Sequence, residues 1–183
     1  MKAVSQVSRA ELPPVREPGS TRIHVIIDTP AGSRNKYKYD SKLHIFRVSR
    51  VLSVGMSFPH DFGSIPRTRA ADGDPLDVLV LGLAPTFPGC LATVRLIGIL
   101  RAWQLEDGRR VRNDRLIGVA ATPVNRPRMR TLRALDARHL QEIEQFFEAY
   151  NRAQGRKFRI TGRGGRRAAE SALQRGIRAF TAS

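Results

Sequence analysis

The chain has 183 residues, with 41% hydrophobic and 26% charged residues, 32 lysines and arginines against 16 aspartates and glutamates, and a net charge of +16. That length and composition suit one folded domain with a substantial core. They exclude a membrane-spanning helix, because no apolar run approaches the roughly 20 residues that one needs. The first residues lack the apolar stretch of a secretory signal, so the expected location is cytoplasmic. The lone Cys90 rules out an intramolecular disulfide and reads as a small buried hydrophobe. The last third of the chain is about twice as basic per residue as the rest, a field that attracts polyanions without saying which.

In chain order, residues 1–20, with Pro13-Pro14, Pro18 and Gly19, read as a loosely held tail, and 21–183 as a single domain. The β-branched run at 22–28, stopped by Pro30 and Gly32, predicts a strand. Residues 36–40 and 44–51 predict two more. The segment 58–66 is turn-rich, with Gly63 and Pro66 excluding a helix. A tight loop at Asp72-Gly73-Asp74-Pro75 leads into a buried strand at 76–81, and Pro85, Pro88 and Gly89 interrupt the chain before another at 91–100. Residues 109–121 read as strand at both ends of a polar turn. The period then changes. Leu132, Leu135, Leu140, Ile143, Phe146, Phe147 and Tyr150 recur at near-helical spacing, with Asp136 as cap of a helix at 137–153 that Gly155 ends. A short strand at 158–160, a flexible basic loop at 162–167 and a helix at 166–180 complete the chain. Strands first and helices last predict an α+β fold, a small barrel with helices at its side.

Three carboxylates within six residues, Asp72-Gly73-Asp74-Pro75-Leu76-Asp77, stand out in so basic a chain. Their repulsion calls for a neutralising cation, and hard divalent ions prefer carboxylate oxygens and water. The plainer alternative is a surface Asp-Gly turn with one capping aspartate. A calcium EF-hand does not fit, because glycine falls at the second loop position and Leu83 at the twelfth, where a bidentate glutamate is required. His24, His44, His60 and His139 show no metal-ligand spacing.

The segment Asp72-Gly73-Asp74-Pro75-Leu76-Asp77-Val78-Leu79-Val80 resembles the signature of the soluble (family I) inorganic pyrophosphatases. Flanking segments keep the family's order: Asp28-Thr29-Pro30, Lys36-Tyr37, Arg50, Phe58-Pro59-His60-Asp61-Phe62-Gly63, Arg115 and Phe146-Phe147-Glu148-Ala149-Tyr150. The resemblance spans roughly residues 22 to 160. It implies a five-stranded OB-like β-barrel with helices beside it, assembled as a homo-oligomer. It implies hydrolysis of inorganic pyrophosphate to two phosphates by a metal-activated water, with Mg²⁺ as the ion and Mn²⁺ or Zn²⁺ as alternatives. On this resemblance Asp72 and Asp77 are metal ligands, Asp74 holds or deprotonates the attacking water and shares the metal set, and Asp28 stands for the family's glutamate. Lys36, Arg50, Tyr150 and Arg115 bind phosphate oxygens.

Departures from the pattern fall on the same positions. Lys38 stands where the family has a glutamate, Phe62 where it has a tyrosine, Asp61 for an asparagine and Asn151 for a lysine. Two further family aspartates fall in a longer stretch here. The second lands on Asn113, with Asp114 adjacent, and the first near 105–107, where Glu106 or Asp107 could substitute. Asp114 and Glu106 are therefore the candidate replacement ligands. A second reading is a catalytically depleted protein on this fold that binds phosphate compounds or polyanions, nucleic acid included, through its basic surface. Aromatic residues for base stacking are sparse there, so nucleic acid is the weaker partner. A non-catalytic oligomeric scaffold is the third reading.

Overall fold

The computed structural model describes residues 13–16, 18–82, 84–121 and 129–182. The strand β1 (Ile23–Thr29) hydrogen-bonds antiparallel to β4 (Asp61–Ser64), β4 to β5 (Asp77–Leu81), and β5 runs parallel to β8 (Arg115–Ala120). β8 pairs with the long β6 (Leu91–Glu106), and β6 returns to β1. These pairings close a five-stranded ring, which leaves those strands no open edge. Two strands extend β6 outside the ring: β7 (Arg109–Arg112) on one side and β9 (Phe158–Gly165) on the other. β2 (Asn35–Asp40) and β3 (Ile45–Val51) form a separate hairpin. The helices are α1 (Ala137–Arg152) and α2 (Arg166–Thr181).

Alternation along the strands divides the core in two. Leu79 and Leu81 of β5, with Ile117 and Val119 of β8, join Leu140, Ile143, Phe147 and Tyr150 of α1. Their neighbours Val78, Val80 and Leu116 join Ile23, Val25 and Ile27 of β1 and Ala169, Ala172 and Leu173 of α2. Cys90 packs half-buried against this second cluster, as a small hydrophobe does. The Asp136 carboxylate accepts from the backbone N–H groups of Arg138 and His139, two donors that the first turn of α1 cannot satisfy itself.

Three expectations need correction. The turn-rich stretch 58–66 contains β4, which Gly63 permits: a Cβ there would run into the carbonyl oxygen of Ile26 on β1. β9 runs on to Gly165 and feeds α2 directly, so residues 162–165 are strand paired to β6 and not a flexible loop. The expected loose tail is fixed where it is described. The Val15 carbonyl accepts from the His24 amide at 2.8 Å, and Arg16 pairs with Glu170 of α2 at 3.1 Å; residues 1–12 lie outside the described residues. Among the described residues no helix is long and apolar enough to cross a membrane.

Gly63→Ala is expected to lower unfolding free energy by about 3 kcal/mol, since the added methyl must push β1 off β4. Urea denaturation measures this, and an unchanged midpoint would mean that the strand contact is looser than described.

Candidate active site

The acidic loop lies between β4 and β5. Gly73 takes φ +84°, a left-handed conformation that side chains disfavour. The Asp74 carbonyl accepts from the Ala70 amide at 2.7 Å, which closes the turn. Asp77 opens β5 and is half-buried. Its Oδ2 accepts from Arg115 Nη1 at 2.7 Å.

Arg115 is the pivot of this region. It opens β8 and is 6% exposed, and its guanidinium lies 5.4 to 5.9 Å from the ring centres of Phe62, Phe147 and Phe158. Nη1 also donates to the Asn113 side-chain oxygen and to the Asp114 carbonyl, while Nε is buried without a partner among the described residues. Phe62 links Arg115 to the substrate-side cations, because the Lys36 ammonium lies 5.9 Å from the same ring and 5.4 Å from that of Tyr150. Arg50, opposite Lys36 on the β2–β3 hairpin, donates to the side-chain carbonyl of Gln154, just beyond α1. Lys38 Nζ reaches both carboxylate oxygens of Asp74, at 3.1 and 3.2 Å. Lys38 and Arg115 thus pair with the acidic loop, and Lys36, beside Tyr150, meets the same Phe62 ring as Arg115.

Electrostatics tie the carboxylates together. Burial pushes the Asp28 carboxyl up to about 7, the charge of Asp77 adds to this, and a hydrogen bond from Ser64 with the charges of Lys36 and Lys38 opposes it. Burial and then Asp77 also raise Asp72 above the usual carboxylate range. Burial makes the charged form of both carboxyls costly, and the negative charge of Asp77 adds to that cost; a hard cation would offset both. Asp72, Asp77 and Asp28 have the oxygen chemistry that a divalent ion takes. Among the described residues, however, no group of three acidic, histidine or cysteine side chains is closed tightly enough to hold an ion by itself, so water must complete any shell.

Two further candidate ligands have partners of their own. Asp114 turns its carboxylate to Arg112 Nε at 2.6 Å and to the Ala102 amide at 3.0 Å, and it borders a cleft with Arg101 and Trp103. Arg112 thereby neutralises it. Glu106, the last residue of β6, accepts from the Gln104 side-chain amide. Gln104 is the residue that the sequence reading missed. It is 4% exposed, on the same face of β6 as Leu100 and Ala102, and opposite Phe158. Counting alternation on from Leu100 would have found it. Gln104 and the buried Asn113 present amides in the stretch where the resemblance called for two aspartates. Asp61 serves the backbone, accepting from the Ala31 amide and the Thr86 hydroxyl, each at 2.7 Å, and the Asn151 side chain donates to the Phe147 carbonyl within α1.

The model of the inorganic pyrophosphatase family matches residues 25–181. The chain belongs to the inorganic pyrophosphatase family. It is 38% identical over 149 residues to an inorganic pyrophosphatase of Synechocystis, covering 80% of this chain and 84% of that one. It is 40% identical over 141 residues to one from Geobacillus stearothermophilus, covering 75% and 81%. The crystal structure of the Thermus thermophilus inorganic pyrophosphatase superposes with a TM-score of 0.85 at 32% identity, covering 95% of this chain and 99% of that one. Of the positions where the resemblance implies another residue, Lys38 pairs with Asp74, Phe62 packs beside Lys36 and Arg115, and the Asn113 side chain accepts from Arg115.

His60 Nε2 lies 2.8 Å from His139 Nε2 of α1, with Asp61 next to the first residue and Glu142 3.6 Å from Nδ1 of the second. Burial, then the neighbouring His139, holds His60 down to about 4, with Asp61 opposing. Such a histidine binds its proton less readily in the folded chain than in the unfolded one. Folded stability is therefore complete above the ordinary histidine value of 6.5 and falls as pH drops from there toward 4. Between pH 7 and pH 5, His60→Asn is expected to remove about 1 kcal/mol of that fall, solvent screening limiting the effect. Urea melts at the two pH values measure it, and an identical fall in both proteins would assign the pH dependence to other groups.

Proposed function

We propose that the chain hydrolyses inorganic pyrophosphate to two phosphates at this pocket, with Asp74 as the group that orients and deprotonates the attacking water. The observation that carries the reading is the convergence of an acidic loop with two buried or ring-packed cations: Arg115 pairs with Asp77, and Lys36 faces the aromatic wall of Phe62 and Tyr150. Lys36, Arg50 and Arg115 offer positive charge to the two phosphoryl groups, and Tyr150 closes the pocket from α1. Their charges are fixed in place before substrate arrives, so little reorganisation is needed as charge builds on the phosphoryl oxygens.

Asp72, Asp77 and Asp28 are the residues that would hold a divalent cation, Mg²⁺ first and Mn²⁺ or Zn²⁺ as alternatives. When bound, such an ion neutralises the substrate and lowers the pKa of water. Asp74 is exposed and its partner Lys38 swings on a flexible stem; that surface pair is weak and can open to free the carboxylate. The reading places the protein in the cytoplasm.

The exposed apolar side chains Leu43, Ile45, Val48, Val51 and Val54 on and beside the β2–β3 hairpin support self-association. Light scattering is expected to give a multiple of the 20.4 kDa chain mass, with Val48→Lys lowering it. A single-chain mass would remove the oligomer from this account.

Phosphate release from pyrophosphate with Mg²⁺, Mn²⁺ and Zn²⁺ in turn tests the activity. Asp74→Asn is expected to lower kcat by about 100-fold or more, the range for loss of a positioned general base. Absence of hydrolysis with every metal would instead favour the catalytically depleted reading, in which the pocket only binds phosphate compounds.

A further inference from the structure

Successive residues of a strand face opposite ways, so Arg101 and Trp103 project from the side of β6 opposite to Gln104. On that side Arg112 of β7 stands across from Trp103, and Arg110 of β7 lies with its guanidinium 4.5 Å from the Trp103 ring centre. With Arg175 of α2 they line a cleft of about 680 Å³. Four guanidiniums border it against one carboxylate, Asp114, which Arg112 already neutralises. Among the described residues Arg101, Arg110 and Arg175 have no carboxylate partner. All four arginines are exposed, and they rise from strands and a helix that cannot drift apart to relieve their repulsion.

We propose that this cleft is a second anion site, separate from the acidic-loop pocket, and that its ligand is an oligophosphate: two or more linked phosphate groups, free or carried by a nucleoside. Guanidinium groups grip phosphate oxygens through paired N–H donors, and the Trp103 ring keeps one of them oriented in advance. Three unpaired positive charges exceed what a single phosphate of about −2 can neutralise, which selects a chain of phosphates. Trp103 is the one aromatic side chain lining the cleft, and Arg110 already lies over it. Single-stranded nucleic acid, which relies on successive stacked bases, is therefore the poorer occupant. The inference does not depend on catalysis in the acidic-loop pocket.

The test is calorimetric titration of the full chain with tripolyphosphate, in chelator so that no hydrolysis intervenes, and at low salt. Arg101→Ser/Arg175→Ser is expected to weaken binding at least tenfold while pyrophosphate hydrolysis stays at the wild-type rate. Lys36→Met, on the other side of the barrel wall, is expected to retain the same binding event. ATP is titrated in parallel. Equal affinity assigns recognition to the phosphate chain alone, and tighter ATP binding adds the nucleoside to it. Affinity in the double variant within twofold of wild type would overturn the proposal. So would retention of a single-stranded oligonucleotide by a chain that ignores tripolyphosphate. If the double variant melts early, Arg101→Gln alone replaces it, with a loss of about threefold expected and no loss counting against the site.

Discussion

Carboxylates gathered in a strongly basic molecule are the constraint on which the pocket depends. Burial first, and the charge of Asp77 second, hold Asp28 and Asp72 above the ordinary carboxylate range. Such repulsion persists only because the surrounding fold fixes the chain. The barrel places Asp28 at the end of β1 and Asp77 at the start of β5, with β4 between them. Arg115, at the start of the neighbouring β8, offsets part of that negative charge from within the core. A buried guanidinium against a half-buried carboxylate is strongly coupled to its partner: removing either one leaves an uncompensated charge.

The aromatic wall does a related job. Phe58, Phe62, Phe146, Phe147 and Tyr150 touch one another with ring centres 5.2 to 5.9 Å apart. Their faces carry partial negative charge and so accept Lys36, and they add to the hold that Asp77 has on Arg115. The exchange of tyrosine for Phe62 removes a hydroxyl but keeps this face, so the cations stay in place. Lys38 and Asn113 act in another direction. Each puts a positive or neutral group where the family resemblance implies an acidic one, which reduces the ligand charge available to a divalent ion.

Much of this was legible in the sequence for identifiable reasons. The β-branched runs and their proline and glycine stops marked β1, β3 and β5, and the change of period after residue 127 marked α1, including its Asp136 cap. The Asp72–Asp74–Asp77 spacing marked the acidic loop. The placement of Gln104 required carrying β6 six residues past Leu100, to the Asp107-Gly108 turn that joins it to β7. β4 was hidden because its short run contains Gly63, which local rules read as a turn and which the strand uses for close approach to Ile26. Asp114 looked like a ligand because it neighbours Asn113, yet its carboxylate pairs with Arg112 and the Ala102 amide, contacts that no sequence pattern announces. The cleft around Trp103 draws on residues 101 to 175 and had no signature in any single segment.

The account's central claim is that the gathered carboxylates recruit a divalent cation, and direct titration of Mg²⁺ into the chain without substrate tests it most closely. Saturable binding is predicted, weakened at least tenfold in Asp77→Asn and left in place by Asp114→Asn. Mg²⁺ affinity indifferent to Asp77, or one that Asp114 alone controls, would contradict it.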